Sequence, residues 1–571
     1  MKLITVASVL ALISTSTCKT IQNGLYSDWW QNAVLYQIYP RSFKDSNNDG
    51  NGDLQGIISK LDHLQDMNID GIWLSPIYKS PQVDNGYDIA DFRSVDELYG
   101  TLDDLKQLLD EVHKRNLKLI LDYVPNHTSD QHKWFQASLN KDPQYDDYYI
   151  WRNASYVNGI RKEPNNWLSA FGGSAWEWNN QRQQYYFHQF STGQPDLNYR
   201  NPLVVKEMKD VLRYWLDFGV DGFRMDAVFT LFEDVTLPDE PLSGETDDPN
   251  SYGYLSHIYT SNLNETVDMI YQWRDVLDEY SINYTRIMMT EVYSDVNNTM
   301  RYYVNEDYSR YGAHFSFNFN SFVTGLKQGF NAVDLYGNIT IWTDNLPNNC
   351  TSNWVLGNHD QTRVSTRLGI ENIDALNMLV SILPGVQITY QGEEIGQENG
   401  EVNCTQGYDP QAIKNCSTYA QLSRDFERTP YQWDNTTNAG FNEGNQTWLP
   451  VSEKYLQTNL AIERNSIKSH YNIYKTLVDV KKQFKVATSD ALYLADWDKE
   501  INVFYIERQT DFAHYAVIFN VNDEKIKPPL VIHNKVEVVV GSLNSQYNPG
   551  DVFDFTRPLN PKESILLKIT H

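Results

Sequence analysis

Three acidic residues each end a separate apolar run of the sequence. Asp226 follows GFRM, Glu291 follows IMMT, and Asp360 closes GNHD. Charged residues are seldom buried without a reason, so carboxyls at the ends of apolar strands indicate a site. Grouped carboxyls can supply a nucleophile and a general acid or base. Singly, each acid could cap the helix that follows it, but the three together, with Arg224 and two nearby histidines, predict catalysis.

The elements that must position these residues form a repeated pattern. Short polar loops and helical patterns separate eight nearly continuous apolar runs: 34–39, 69–77, 117–124, 220–228, 286–293, 314–319, 353–360 and 385–392. Such runs are typical of parallel strands buried on both faces. Residues 102–115 and 204–218 have apolar residues at helical spacing. The alternation predicts an α/β fold, a (β/α)8 TIM barrel, with its chemistry at the carboxyl ends of the strands.

Two further segments interrupt or follow this pattern. The gap between the third and fourth runs is too long for one helix and its loops, and residues 128–195 are rich in Trp, Tyr, Asn and Gly. We expect a small inserted domain there, above the carboxyl ends of the barrel strands. Period-two alternation after about residue 480 predicts an antiparallel β-domain over 481–571. The barrel would then comprise residues 28–127 and 196–480.

Composition excludes some classes of partner. The 571 residues carry a net charge of −27, which argues against nucleic acid and anionic membranes. The start of the chain, Lys2, then an apolar run and small residues, predicts a signal peptide over 1–18 and a secreted protein. No later run is long enough to span a membrane, and the C-terminus lacks the tail of a lipid anchor. No nucleotide-binding motif is present, so no organic cofactor is expected.

Cysteines and glycosylation motifs fit export. Cys404 and Cys416 lie close together in a polar stretch and are the better candidates for a disulfide, which leaves Cys350 free. Asn126 heads a glycosylation motif next to an apolar run, so we expect it to be unmodified. Ten other motifs are candidate surface glycan sites: Asn153, Asn264, Asn283, Asn297, Asn338, Asn349, Asn403, Asn415, Asn435 and Asn445.

The segments that carry these acids resemble a known family. DYVPNH (122–127), GFRMDAV (222–228), TEVY (290–293) and GNHD (357–360) are similar, in order, to the four signature segments of the α-amylase superfamily of glycoside hydrolases, family 13. QPDLN (194–198) resembles an extra segment of its oligosaccharide-cleaving branch. Other motifs, including RTPYQW, are similar to animal α-glucosidases, insect maltases in particular. The resemblance extends from about residue 28 to about residue 433.

The resemblance implies roles for the three acids. Asp226 would be the nucleophile, Glu291 the general acid/base, and Asp360 the acid that stabilises a positively charged transition state. Asp226 must be ionised to attack, and we expect the Arg224 guanidinium to lower its pKa. Glu291 must start protonated, so neighbouring acids and limited water should raise its pKa.

The resemblance also implies the residues that bind the sugar. His127 and His359 would bond to its hydroxyls, and Tyr87 would lie beneath the ring. Asp88 and Arg428 resemble the ion pair that closes the pocket in exo-acting α-glucosidases, so that only terminal glucose is removed.

An oxygen-rich turn, DSNNDGNGD, predicts a metal site. The side chains of Asp45, Asn47, Asp49 and Asp53 and the main-chain carbonyl of Asn51 have the alternating spacing and hard oxygen donors that suit Ca²⁺. In relatives this loop binds a structural calcium ion. Their usual glycine is Asn48 here, a difference that we expect to matter little.

The predicted function is a secreted, retaining exo-α-glucosidase acting on maltose and short malto-oligosaccharides, with sucrose as a further candidate substrate. The small Ala227 after the nucleophile favours α-1,4 links, whereas QPDLN is common among α-1,6 specialists. Alternatives are therefore an α-1,6-preferring oligoglucosidase and a sucrose isomerase or transglucosylase. A non-catalytic receptor or transporter-associated relative is disfavoured, because the catalytic acids are present and no membrane span precedes the barrel.

Overall fold

A computed structural model describes residues 17–20, 28–485, 490–497, 501–528 and 535–570. The predicted signal peptide, 1–18, therefore lies almost entirely outside the described residues. Its last two positions belong to a short strand, Thr17–Thr20, which pairs antiparallel with a strand of the C-terminal sheet.

Eight parallel strands form the central sheet, one at each predicted run. In chain order they are β1 (Val34–Ile38), β2 (Gly71–Leu74), β3 (Lys118–Tyr123), β4 (Gly222–Met225), β5 (Ile287–Thr290), β6 (Phe315–Ser316), β7 (Asn353–Val355) and β8 (Val386–Tyr390). Strands β1 to β6 pair in chain order, and β7 pairs with β8, which returns to pair with β1. Nearly every strand residue is buried, as expected for a sheet covered on both faces. The predicted (β/α)8 barrel is confirmed.

The barrel is closed between β6 and β7 by a side chain. Among the described strands, no backbone ladder joins these two. Instead the Asn353 side-chain amide donates to the carbonyl of Ser316 at 2.6 Å and accepts from the backbone N–H of Asn318 at 2.9 Å. A buried amide therefore replaces the missing backbone hydrogen bonds.

The helices that cover the barrel begin and end at residues with known capping preferences. Leu102–Lys114 begins with a capping box between Thr101 and Asp104 and buries its leucine face. Pro202–Phe218 begins with Pro at its first position and ends at Gly219, whose φ of 111° suits glycine. The other α-helices in the described ranges are Pro40–Phe43, Leu54–Ser59, Leu61–Asp66, Lys133–Leu139, Asn264–Glu279, Val296–Met300, Phe319–Phe322, Ala332–Asn345, Val364–Leu368, Ile373–Ile382, Tyr419–Leu422, Leu460–Asn465 and His470–Gln483.

The insert between β3 and the helix Pro202–Phe218 contains its own small sheet. Its strands are Trp151–Arg152, Trp176–Asn179 and Gln184–Phe187, with a separate hairpin of Ser155–Val157 and Ile160–Lys162. Aromatic residues form a local core, in which the rings of Trp167 and Phe187 lie 5.3 Å apart. An antiparallel bridge between His127 and Asp196 joins the two ends of the insert at the carboxyl end of β3.

The C-terminal part is an antiparallel sheet of β9 (Asp490–Trp497), β10 (Val503–Thr510), β11 (His514–Asn520), β12 (Lys535–Gly541) and β13 (Ser564–Thr570). Buried residues of β10 and β11 share one apolar cluster with the helices Ile373–Ile382 and His470–Gln483. Arg508 forms a buried pair with Asp490 and donates to the carbonyl of Ile382, which ties this sheet to the barrel.

Candidate active site

Arg224 on β4 lies at the centre of the predicted acids. Its Nη1 contacts the carboxylates of Asp122, on β3, and Asp226, just past β4. Its Nη2 lies 2.7 Å from Oε1 of Glu291, just past β5. The parallel register places Arg224 opposite Asp122 on β3 and Met289 on β5, so one buried guanidinium contacts three strand ends. The structure thus brings together acids that are distant in the chain.

Burial sets the protonation states of Asp226 and Glu291. Desolvation raises the pKa of Asp226 to about 7 and outweighs the lowering by Arg224, while Asp122 and Asp360 raise it further. Arg224 thus lowers the pKa of Asp226 as expected, but its charge does not offset the loss of water, so the net shift is upward. Burial likewise raises the pKa of Glu291 to about 8, with Asp226 and Asp360 adding to the effect. The predicted rise in the pKa of Glu291 is confirmed.

The backbone beside Asp226 also contacts Glu291. Ala227 has a left-handed φ of 42°, which is unfavourable for a residue with a Cβ. In this conformation its N–H donates to Oε2 of Glu291 at 2.9 Å. Glu291 is thus held through both oxygens, one by Arg224 and one by the residue next to Asp226.

Asp360, after β7, faces two arginines. Burial alone would raise its pKa, but His359, Arg428 and Arg424 together hold it below the usual range. Arg428 Nη2 lies 2.6 Å and Arg424 Nη1 3.2 Å from Oδ1 of Asp360. Asp360 therefore remains a fixed anion where a positive transition state would need one.

Tyr87 and the two histidines surround the base of the site. The rings of Tyr87 and His359 stack in parallel at 5.3 Å, and the Tyr87 hydroxyl lies 2.5 Å from His359 Nε2. The Gln37 amide nitrogen lies 2.8 Å from His359 Nδ1, an arrangement in which Nδ1 accepts and Nε2 carries the hydrogen. Burial lowers the pKa of His127 to about 4, so that ring is neutral near pH 7.

The ion pair at the end of the pocket involves other residues than those predicted. Asp88 is buried beneath its own loop, where it accepts from the backbone N–H groups of Val83 and Asp84 and from Ser80 Oγ. Arg428 is equally buried and contacts Asp360 and the carbonyl of His359.

The salt bridge that faces the pocket joins Asp84 and Arg424, at 2.8 Å. The Asp88–Arg428 prediction is therefore wrong. Each motif, VDNGYDI and RDFERTP, offers two residues of the required charge, and spacing alone does not tell which one faces the cavity.

The cavity is about 400 Å³ in volume and opens between the barrel and the insert. The insert contributes Phe171 and Phe190, which no sequence motif marks, although the aromatic richness of residues 128–195 was a signal. Besides the acids, lining residues are Asp84, Tyr87, His127, Phe171, Phe190, Ala227, Phe229, Tyr293, Gln361, Thr362, Gln411, Gln421, Leu422, Ser423, Arg424 and Glu427.

The oxygen-rich turn is folded by its own side chains. Among the described residues, the donors to the buried carboxylate of Asp45 are neutral amides: the backbone N–H groups of Asn47, Asn48 and Gly50, and the side chain of Asn442. Asn48 takes a left-handed φ of 67°, a conformation that favours glycine and that asparagine tolerates.

Asp53 also caps the helix Leu54–Ser59. In the described part of the chain, no three His, Cys, Asp or Glu side chains are gathered closely enough to hold a metal ion. The donors are nevertheless oxygens throughout, as Ca²⁺ requires, so the calcium site stays a prediction.

The cysteine and glycosylation predictions concern residues outside the cavity lining. Cys404 and Cys416 form a disulfide and Cys350 is free, as predicted. Nine of the ten candidate asparagines are exposed and Asn338 is half-buried, whereas Asn126 is 1 % exposed. No helix in the described ranges is long and apolar enough to cross a membrane.

Comparisons with known proteins agree with this geometry. The family model of the α-amylase catalytic domain matches residues 37–490. Maltase 1 of Drosophila virilis is 48% identical over 488 residues, covering 84% of this chain and 76% of that protein. The salivary alpha-glucosidase of Aedes aegypti is 46% identical over 499 residues, covering 86% and 85%.

Solved structures agree as well. A variant of the trehalulose synthase MutB in complex with Tris superimposes with a TM-score of 0.83 at 31% identity, covering 95% of this chain and 100% of that one. The resemblance noted in the sequence is thus confirmed. The chain belongs to the α-amylase family and is a glycoside hydrolase of the maltase and α-glucosidase group.

Proposed function

We propose that this glycoside hydrolase is a secreted, retaining exo-α-glucosidase that removes terminal α-linked glucose through a covalent intermediate. One observation carries the proposal. The Asp84–Arg424 pair lies beside Asp360, so the catalytic acids lie in a pocket that has a charged, hydrogen-bonding end. Such an end suits the hydroxyl groups of one terminal sugar and leaves no path for a longer chain.

The proposed mechanism uses the acids in two steps. The Asp226 carboxylate attacks the anomeric carbon while Glu291 gives its proton to the departing glycosidic oxygen, which leaves a glucosyl ester on Asp226. Glu291, now ionised, takes a proton from water, and that water displaces Asp226 with a second inversion. The raised pKa of Glu291 keeps it protonated for the first step. Contact of both carboxyls with Arg224 supports the short separation that double displacement needs.

The substrate is proposed to be maltose and short malto-oligosaccharides, with α-1,4 links preferred. Ala227 lines the cavity next to Asp226 and its side chain is only a methyl group, which leaves room beside the bond to be cleaved. A panel of maltose, isomaltose, sucrose and trehalose tests this, with proton NMR of the first product formed. We expect maltose to be hydrolysed at a much higher rate than isomaltose, with release of α-glucose. Comparable rates on both, or release of β-glucose, would contradict the proposal.

A second candidate function is transfer of glucose to a sugar instead of water. The similarity to the trehalulose synthase structure favours it, because the same covalent intermediate serves both reactions. Chromatography of the products at high sucrose concentration separates the two. Isomerised sucrose as the main product would identify an isomerase, and free glucose and fructose a hydrolase.

Export rests on three features that do not concern the site. A salivary relative is similar over 86% of this chain, the start of the sequence resembles a signal peptide, and most of the candidate glycan sites are exposed. Expression in insect cells tests this proposal. The protein should appear in the medium with its mass reduced by an N-glycosidase, and retention inside the cells would contradict export.

We also propose a structural calcium ion in the 45–53 turn. The side-chain oxygens of Asp45, Asn47, Asp49 and Asp53 and the carbonyl of Asn51 would hold it, and the ion would fix the turn. Calcium at 100 times its dissociation constant would stabilise the fold by about 2.7 kcal/mol. We expect the melting temperature of the native chain to be higher in Ca²⁺ than in EGTA, and that of D49N to be the same in both. Equal melting temperatures with Ca²⁺ and EGTA in the native chain would contradict the site.

A further inference from the structure

We propose that Asp409 is a positioning residue for substrate binding: held by the disulfide-closed segment 404–416, it fixes the guanidinium of Arg424 in the pocket. The inference rests on the proposed function, because it assumes that Arg424 binds the terminal glucose. Asp409 does not line the cavity, so it would act on the sugar only through Arg424.

The contacts between these two residues are extensive. The Asp409 carboxylate accepts from Arg424 Nη2 at 2.7 Å and from Nε at 3.1 Å, a two-nitrogen contact along one edge of the guanidinium. It also accepts from the backbone N–H of Arg424 at 2.7 Å. Asp409 is fully buried. Two-point contacts of this kind fix the plane of a guanidinium as well as its position.

The remaining contacts of Arg424 are in the pocket. Nη1 lies 3.2 Å from Asp360 and Nη2 lies 2.8 Å from Asp84. Asp409 therefore determines which way Arg424 presents its other nitrogens. With Asp409 made neutral, Arg424 would be free to turn toward its two remaining carboxylates, and its hydrogen bonds to a sugar would lose their fixed direction.

The segment that carries Asp409 is held from the other side in a reciprocal way. Asp425 Oδ2 accepts from the backbone N–H groups of Tyr408 and Asp409, at 2.8 and 3.0 Å. The hydroxyl of Tyr419 donates to the same oxygen at 2.7 Å. Thus Asp409 binds the backbone and side chain of Arg424, while the next residue, Asp425, binds the backbone of Asp409.

The disulfide closes the segment on itself. Residues 404–416 form only turns and irregular backbone, and seven of them (405, 406, 408 and 413–416) are exposed. A segment without regular hydrogen bonds has many conformations, and a covalent link between its ends removes most of them. The link between Cys404 and Cys416 therefore limits where Asp409 can lie. Removing this link is expected to affect the pocket in the same way as removing the Asp409 charge, but more weakly.

The test compares D409N with D490N as a matched control. Asp490 forms the same kind of buried two-point pair with Arg508, but at the junction of the barrel and the C-terminal sheet. Both variants should lower the melting temperature. Only D409N should raise KM, by about tenfold, with kcat changed by less than about threefold, since the lost interaction binds glucose and not the leaving group. The rise should be equal for maltose and p-nitrophenyl α-glucoside.

A second variant keeps the proposal testable if D409N does not fold. C404S/C416S retains Asp409 and should raise KM for both substrates by about threefold, without a comparable fall in kcat. An unchanged KM in D409N, or an equal rise of KM in D490N, would overturn the inference. If C404S/C416S folds and D409N does not, an unchanged KM in C404S/C416S would overturn it. The native chain is assayed first, because its failure to hydrolyse either substrate would refute the proposed function instead.

Discussion

Nη2 of Arg224 lies 2.7 Å from Oε1 of Glu291, although the two residues are 67 positions apart in the chain. They are close because they belong to the carboxyl ends of adjacent strands. The same guanidinium contacts Asp226 and Asp122. One buried cation thus contacts three buried carboxyls, and a single positive charge cannot stabilise all three in the ionised form. The shared shortage of charge is why a proton can remain on Glu291 while Asp226 is ionised.

Neutralising Asp226, the proposed nucleophile, should abolish turnover without unfolding the protein. D226N retains the shape of Asp226 but loses its negative charge, so we expect kcat to fall by about 10⁴-fold or more. Circular dichroism and the melting temperature should stay close to those of the native chain. D103N, at an exposed acid of a covering helix, is the control and should retain full activity. Substantial residual turnover in D226N would contradict its assignment.

The end of the pocket should depend on Asp84 and Arg424 more than on Asp88. D84A removes one partner of the pocket salt bridge, so we expect KM to rise by about 10- to 100-fold, which corresponds to about 1.4–2.7 kcal/mol of binding. D88N weakens hydrogen bonds within its loop and should mainly lower the melting temperature. Steady-state kinetics on maltose decide between them. A larger rise of KM in D88N would restore the pair predicted from the sequence.

The pH dependence of kcat/KM should reflect two raised carboxyl pKa values. The active form has Asp226 ionised and Glu291 protonated, and their pKa values are about 7 and about 8. Activity is therefore expected to fall toward acid as Asp226 gains a proton, and toward alkali as Glu291 loses one. Because the groups are coupled, both limbs belong to the pair. An acid limb near 3.8, the ordinary value for aspartate, would contradict the effect of burial.

Stability should decline at alkaline pH through His470. Burial alone would lower the pKa of His470, but its hydrogen bond to Asp374, with Glu463 nearby, raises it above 6.5. A raised folded-state pKa gives stability that is complete below about 6.5 and is lost as pH rises through the folded-state value.

H470Q should remove this slope and cost about 1.5–3 kcal/mol at pH 6, the range for a hydrogen bond to a charged group. Melting temperatures from pH 6 to 9, at one heating rate, provide the measurement. Parallel curves for the native chain and H470Q would contradict the role of His470.

Some parts of this protein follow from the sequence because they depend on local patterns. Eight apolar runs mark eight buried strands, since a strand covered on both faces must be apolar along its length. Asp226, Glu291 and Asp360 could be picked out because each breaks such a run at its carboxyl end. The pairing of Cys404 with Cys416 was predictable because the two lie close together in the chain.

Tertiary structure decided what depends on direction and on the exclusion of water. Asp84 and Asp88 have the same charge and lie on one loop, but only the folded backbone turns the first toward Arg424 and buries the second beneath its own amides. The pKa of Asp226 is raised and not lowered because desolvation exceeds the attraction of Arg224, a balance that spacing cannot express. The sequence by itself determined which residues could do the chemistry, and packing determined how they face each other and which of them are charged.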